Sequence, residues 1–217
     1  MPYDLCCIGH MTIDKVVSPG GTVLMPGGTS FYFANAVAGL KASFKLVTVL
    51  APEDVYAIEL LRERGVDVDV HPSVHTLFFE NIYGADTDHR VQRVLQTADP
   101  FTLEQVQAIQ ASIVHAGPLL ANDISATILK QLAKQSKVSL DVQGFLRKVE
   151  NFNVVPVDWL EKMEVLPHIE FLKANEEELA VISGQPDIET GAKKLQQWGA
   201  KEVIVTLGSK GSMIFAG

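Results

Sequence analysis

The chain has 217 residues and a net charge of −8, with 47% hydrophobic and 20% charged residues. That length builds one sizeable core, and the composition is that of a soluble globular protein. The acidic balance excludes non-specific attachment to nucleic acid or to an anionic membrane, both of which need basic surface. A nucleotide pocket stays open, because such pockets use a few local donors. Cys6 and Cys7 are adjacent inside an apolar run. They form neither a disulfide framework nor a spaced zinc motif, and read as thiols of a buried strand in a reducing cytoplasm. Met1-Pro2-Tyr3-Asp4 lacks the basic region of a signal peptide. Lys41 and Lys45 interrupt the best candidate for a membrane span.

In chain order, Leu5–Ile8 reads as a buried strand closed by Gly9. Thr12–Val17 and Thr22–Met25 flank the turn Ser18-Pro19-Gly20-Gly21 and read as a hairpin. Gly27-Gly28 precedes Thr29–Leu40, which is apolar nearly all round, as a buried helix is. Lys45–Leu50 is the next strand, and Asp54–Arg64 an amphipathic helix ended by Gly65. Thr76–Tyr83 and Arg90–Gln96 surround Gly84-Ala85-Asp86-Thr87-Asp88 as a second hairpin. Thr102 and Gln105 form a capping box.

Beyond it, strands are expected at Ser112–His115, Val138–Leu140, Phe171–Lys173 and Glu202–Thr206, with helices between them. One helix places Ile124, Ile128 and Leu132 on a single face. Another, from Asp187, aligns Ile188, Ala192, Leu195 and Trp198. The alternation implies an α/β fold: a mostly parallel sheet with helices on both faces. The two hairpins stand outside that sheet and are expected to pair with each other as a small β-structure. The chain reads as one domain over 1–217, with an appendage formed by 10–26 and 71–98.

Two common ways of holding phosphate are missing. No Gly-x-Gly-x-x-Gly follows the first strand, and no P-loop sequence occurs. Four other segments carry a resemblance instead. Ile8-Gly9-His10-Met11-Thr12-Ile13-Asp14 has an Asp following the first strand. Gly27-Gly28 leads into a helix carrying Asn35. Lys173-Ala174-Asn175-Glu176-Glu177-Glu178-Leu179 contains Asn-x-x-Glu. Thr206-Leu207-Gly208-Ser209-Lys210-Gly211 is a glycine-bearing loop after a strand. In this order they resemble the ribokinase-like family of sugar kinases, the phosphofructokinase-B type.

The resemblance implies ATP-dependent phosphorylation of a hydroxyl on a sugar, sugar phosphate or nucleoside, under a β lid. It implies ATP and Mg²⁺ as cofactors and admits a monovalent cation. It points to a homodimer through the lid, and to neither nucleic acid nor membrane as partner. Asp14, Gly27, Gly28 and Asn35 become substrate-binding candidates. Asn175, Thr206, Gly208 and Gly211 become nucleotide-binding candidates, and Glu178 the residue orienting water on Mg²⁺.

Each segment also has a plainer account. Asp14 is equally a solvated acid opening a hairpin. The glycine pair is equally a tight turn. Asn35 is equally an amide paired with nearby backbone, and two more residues separate it from Gly28 than the family pattern has. Asn175 and Glu178 make a capping box. Gly208–Gly211 is a hairpin turn between Val203–Leu207 and Ser212–Phe215. Asp141 and Arg147 follow a strand end and are candidates for the phosphate or substrate side, with Gly117-Pro118 lining the same crevice; Lys210 is left without a role. The six histidines show no metal-ligand spacing.

The family's general base is an Asp in a Gly-Ala-Gly-Asp type segment beyond the nucleotide loop. Here only Ser212–Gly217 follows Gly211. The base is therefore expected beyond Gly217, in a longer chain. The alternative is a non-catalytic sugar- or nucleotide-binding relative. A Rossmann-type oxidoreductase or transferase is a weaker third reading.

Overall fold

A computed structural model describes residues 2–84 and 90–217. The larger sheet has eight strands, in the order β14 (Ser212–Ala216), β13 (Glu202–Thr206), β12 (Phe171–Asn175), β9 (Lys137–Asp141), β8 (Ala111–Ala116), β1 (Tyr3–Ile8), β4 (Phe44–Leu50) and β5 (Asp67–Pro72). Neighbours run parallel except β14, which is antiparallel to β13. Alternating side chains feed two cores. Cys6 and Ile8 face one and Cys7 the other, so the adjacent thiols point apart and stay free. Burial pushes the Cys6 thiol up to about 12.

Helices α1 (Thr29–Val37) and α2 (Glu59–Glu63) cover the Cys7 face through Phe31, Ala34, Val37 and Leu61. Helices α3 (Leu103–Gln107), α4 (Ala126–Leu132), α5 (Lys162–Val165), α6 (Glu176–Ser183) and α7 (Ile188–Gln197) cover the other, where Ile124, Ile128, Leu132, Ala192 and Leu195 are buried. The α/β architecture with helices on both faces is thus the observed one. The Thr102–Gln105 capping box forms as read, and Asp187 caps α7.

Two helices differ from expectation. The first ends at Val37 rather than Leu40. The helix expected over Asp54–Arg64 is a 3₁₀ turn over Pro52–Ile58 followed by α2. Val55, Ile58 and Leu61 recur every third residue and pack on one core. Three residues per turn keeps them on one face.

The second sheet has the order β10 (Arg147–Glu150), β11 (Asn153–Pro156), β7 (Arg90–Gln96), β6 (Leu77–Tyr83), β2 (Thr12–Ser18), β3 (Gly21–Gly27). The two expected hairpins meet along β2 and β6, which run parallel. The stretch assigned to the second hairpin from residue 71 needs correction. Residues 67–72 pair with β4 in the larger sheet, and the small sheet resumes at Leu77. The expected turn Gly84–Asp88 lies, from residue 85, outside the described residues. A third hairpin, 147–156, joins the small sheet at β7. Its turn residues Asn151 and Phe152 both have positive φ, 48° and 66°. Phe is rare in that conformation, so the segment carries no turn signal.

Leu77, Phe79 and Val94 of the small sheet pack on Leu119 and Leu120 of the body. Leu140, the last apolar residue before Asp141, is fully buried at the centre of the larger sheet. Leu140→Ala is expected to cost about 2–5 kcal/mol, read from urea denaturation. A loss under about 1 kcal/mol would show that the site relaxes around the missing atoms.

Candidate active site

Strand order reverses at β1, with β4 and β5 on one side and β8, β9, β12 and β13 on the other. Ligands of open parallel sheets sit outside the carboxyl ends at such a reversal. Gly9 and Gly117 end the two central strands there, and Gly117 N donates to Ile8 O at 2.9 Å. From Gly9 the chain crosses into β2, and so carries the small sheet over this crevice.

A cavity of about 210 Å³ lies there, lined by Thr12, Asp14, Gly28, Tyr32, Gln92 and Arg147, with Thr29, Phe79, Leu119 and Gln143. Thr12 and Asp14 share one face of β2 by strand alternation. The Thr12 hydroxyl donates to Asp14 Oδ1 at 2.6 Å. Asn81 Nδ2 donates to Asp14 Oδ2 across a longer 3.4 Å. The glycine pair opposite has two separate jobs. A Cβ on Gly27 would stand 2.5 Å from Asp14 Oδ2. Gly28 has φ +88°, and a Cβ there would stand 2.7 Å from His10 O. One glycine makes room for the carboxylate, the other for the turn into α1.

Asn35 is not brought to this cavity. Its Nδ2 donates to Phe31 O at 2.8 Å and its Oδ1 accepts from Arg64. It lies about 120° round the helix from Thr29, which does line the cavity. Tyr32, from the same helix, lines the cavity instead.

A second polar group collects at the carboxyl ends of β9, β12 and β13. Asn175 is in register with Thr206, and Lys173 with Asp141. Lys173 Nζ pairs with Asp141 Oδ2 at 3.0 Å, and Asp141 Oδ1 accepts from Gln143 N at 3.2 Å. Asn175 and Glu178 cap α6 reciprocally: Asn175 N donates to Glu178 Oε2 and Glu178 N to Asn175 Oδ1, each at 2.8 Å. Glu178 Oε1 also accepts from Gln143 Nε2 at 3.4 Å. Gln143 therefore links this group to the cavity it lines.

The loop after β13 is held by Leu207 N donating to Gly211 O at 2.8 Å. Gly208 and Gly211 have φ +58° and +96°, with open space where a side chain would stand. Backbone amides there can meet a phosphate or a base without steric cost. The Lys210 side chain is exposed.

Among the described residues no group of three or more His, Cys, Asp or Glu gathers to hold a metal. Both Glu178 oxygens already accept hydrogen bonds. This donor set fits a hydrated Mg²⁺ carried in on a phosphate donor and met through its waters, rather than a protein-built cage.

Two buried histidines frame the site. His10 Nε2 contacts Asp99 O at 2.9 Å, and its Nδ1 stands 3.2 Å from Asp123 Oδ2, an ion-pair contact rather than an aligned hydrogen bond. Burial opposes its protonation, but Asp123 and the Asp99 carbonyl outweigh burial and hold the imidazole above its ordinary pKa. His115 stacks on Phe33, with ring centroids 4.4 Å apart, and its Nδ1 meets Ser139 Oγ at 3.0 Å. Burial lowers its pKa to about 4.

Thr12, Tyr32, Phe79, Gln92 and Gln143 escaped the sequence reading. Thr12 had a signal, being two residues before Asp14 on one strand. Gln143 had one too, lying between Asp141 and Arg147 just past a strand end. Gln92 had none, since only strand pairing brings it to the cavity.

A polar crevice at the strand ends of an α/β body, roofed by a small β-sheet, is the architecture of a class of small-molecule kinases. The chain belongs to the pfkB family of carbohydrate kinases, whose model matches residues 4–217. It is 29% identical to the cytidine kinase of Thermococcus kodakarensis over 223 residues, spanning 99% of this chain and 76% of that one. It superposes on a pyrophosphate-dependent kinase of the ribokinase family, in complex with sulfate, with TM-score 0.88 and 30% identity, over 98% of this chain and 76% of the other. The Arabidopsis thaliana ribokinase bound to ribose and ATP shares the fold, with TM-score 0.71 and 24% identity over 100% of this chain and 75% of its own.

The depressed pKa of His115 predicts acid sensitivity. The neutral form is favoured in the fold, so its contribution is complete above about 6.5 and is lost as pH falls toward 4. The fall from 6.5 to about 4 is worth about 3 kcal/mol. Denaturation of wild type and His115→Gln at pH 7 and pH 4.5 should show a smaller acid loss in the variant. Equal losses would remove the assignment.

Proposed function

We propose that the chain forms the substrate- and donor-binding part of a kinase that transfers the γ-phosphoryl group of ATP to a hydroxyl of a sugar, sugar phosphate or nucleoside. The observation that carries this reading is Asp14, a carboxylate facing a small cavity with Gly27 keeping its front clear. A carboxylate accepts hydrogen bonds from neighbouring hydroxyls strongly. Arg147, in the same lining, supplies positive charge where the phosphoryl group arrives.

The donor would lie along Asn175, Thr206 and the Gly208–Gly211 loop, with Glu178 and Asp141 ordering the waters of Mg²⁺. Bound Mg²⁺ would neutralise charge on the transferring phosphate. Removing the hydroxyl proton calls for a general base. Closure of the small sheet as a lid would exclude water from the transfer.

Pyrophosphate is the second donor reading, favoured by the likeness to a pyrophosphate-dependent kinase. Exposed Val23 and Leu24 on the edge strand β3 support pairing with a second copy through the lid. Among the described residues no helix is long and apolar enough to cross a membrane. Two free buried thiols accord with a cytoplasmic setting.

Two measurements test this reading. Calorimetric titration with ribose, myo-inositol and cytidine should find a ligand that Asp14→Asn binds at least about tenfold more weakly, since a charge-assisted hydrogen bond contributes about 1.5–3 kcal/mol. Equal affinity would remove Asp14 from the site. Glu178→Gln keeps an acceptor for the cap but sets an NH₂ against Gln143 Nε2, so stability should fall by about 1 kcal/mol with the fold intact. The Mg²⁺ concentration needed for nucleotide binding should rise. If it does not, Glu178 only caps.

A further inference from the structure

Asp14 is not alone on its face of the small sheet. Asn81 on β6 and Gln92 on β7 are directly opposed in the ladder. Gln92 Nε2 donates to Asn81 Oδ1 at 2.8 Å, and Asn81 Nδ2 turns toward Asp14 Oδ2 at 3.4 Å. Asn81 is 2% exposed, so its amide must find partners inside the protein. The carboxylate is an acceptor, and facing it with the Asn81 carbonyl would set oxygen against oxygen. Asn81 must therefore present its NH₂ to Asp14 and its carbonyl to Gln92. Gln92 must in turn spend an N–H on Asn81. The charge on Asp14 thus dictates the orientation of two neutral amides in series.

One group is left over. Among the described residues nothing else bonds the Gln92 carbonyl, and Gln92 lines the cavity. The row from Asp14 to Gln92 therefore offers acceptors at both ends.

We propose that Gln92, oriented through Asn81 by Asp14, is a specificity-determining residue that accepts a hydrogen bond from a substrate hydroxyl other than those held by Asp14. The substrate class is then a ring bearing several hydroxyls, a sugar or cyclitol, selected over its analogue lacking one of them. This rests on the substrate reading above and goes beyond it by assigning the second contact. A site built to pair a hydroxyl discriminates strongly, because the analogue leaves a buried polar group unpaired.

The test is calorimetric binding of matched pairs: myo-inositol and ribose, each against its monodeoxy analogues. Wild type is measured first. If neither parent binds, the sugar or cyclitol assignment and the role of Gln92 fail, while cytidine binding that depends on Asp14 would keep the substrate reading above. If a parent binds, one analogue should bind about tenfold or more weakly. In Gln92→Leu the parent should fall to the level of that analogue, while the analogue itself is unchanged. Gln92→Met, of matched length, repeats the measurement should Leu disturb the sheet, and thermal melts confirm that each variant is folded. Equal weakening of every ligand, or retained discrimination in the folded variants, overturns the role of Gln92 while leaving Asp14 and the kinase reading standing.

Discussion

The reversal of strand order at β1 is the constraint from which the cavity follows. A parallel strand needs a crossover, and successive crossovers that leave in opposite directions along the sheet cannot cover the end of the strand where they part. β1 goes on into the small sheet, and β8 ends beside it at Gly117. The uncovered end is where β2 starts, so Asp14 reaches the crevice by chain connectivity, six residues past Ile8. Gly27 opposite then decides whether the carboxylate has room to stand there.

Much of the polar apparatus serves the fold as well as the site. Asn175 and Glu178 satisfy donors at the start of α6, worth about 0.5–2 kcal/mol as a cap. Lys173 neutralises buried Asp141, which in turn caps the short turn containing Gln143. A group already fixed by a structural hydrogen bond loses little freedom on meeting a ligand, so the same bonds that stabilise the helix pre-organise the site. The two histidines show how local surroundings shift one side chain's pKa in opposite directions. His115 has an aromatic ring on one face and a hydroxyl at Nδ1, and stays neutral. His10 has Asp123 and the Asp99 carbonyl, which raise its pKa above the ordinary value against the effect of burial. Asp123 also accepts from Leu119 N and Leu120 N. The His10 pair therefore ties the end of β1 to the loop that floors the cavity.

By itself the sequence determined the elements whose forces are local. The buried apolar run of β1, the boundaries of β13, the Thr102–Gln105, Asn175–Glu178 and Asp187 caps, and the turn at Ser18–Gly21 all follow from neighbouring residues. Asp14 and the two glycines were singled out by the family resemblance of their segments, and they meet in the structure because Gly27 lies opposite Asp14. Only the tertiary structure decided what depends on distant strands. It turned Asn35 toward Arg64 and put Tyr32 at the cavity mouth. It built a third hairpin around a Phe in a left-handed conformation. It set Gln92 beside Asn81 and Gln143 beside Glu178. Such amides carry no charge and no periodic signature, and each gains its direction from a partner that strand pairing or the larger sheet brings within 3.4 Å.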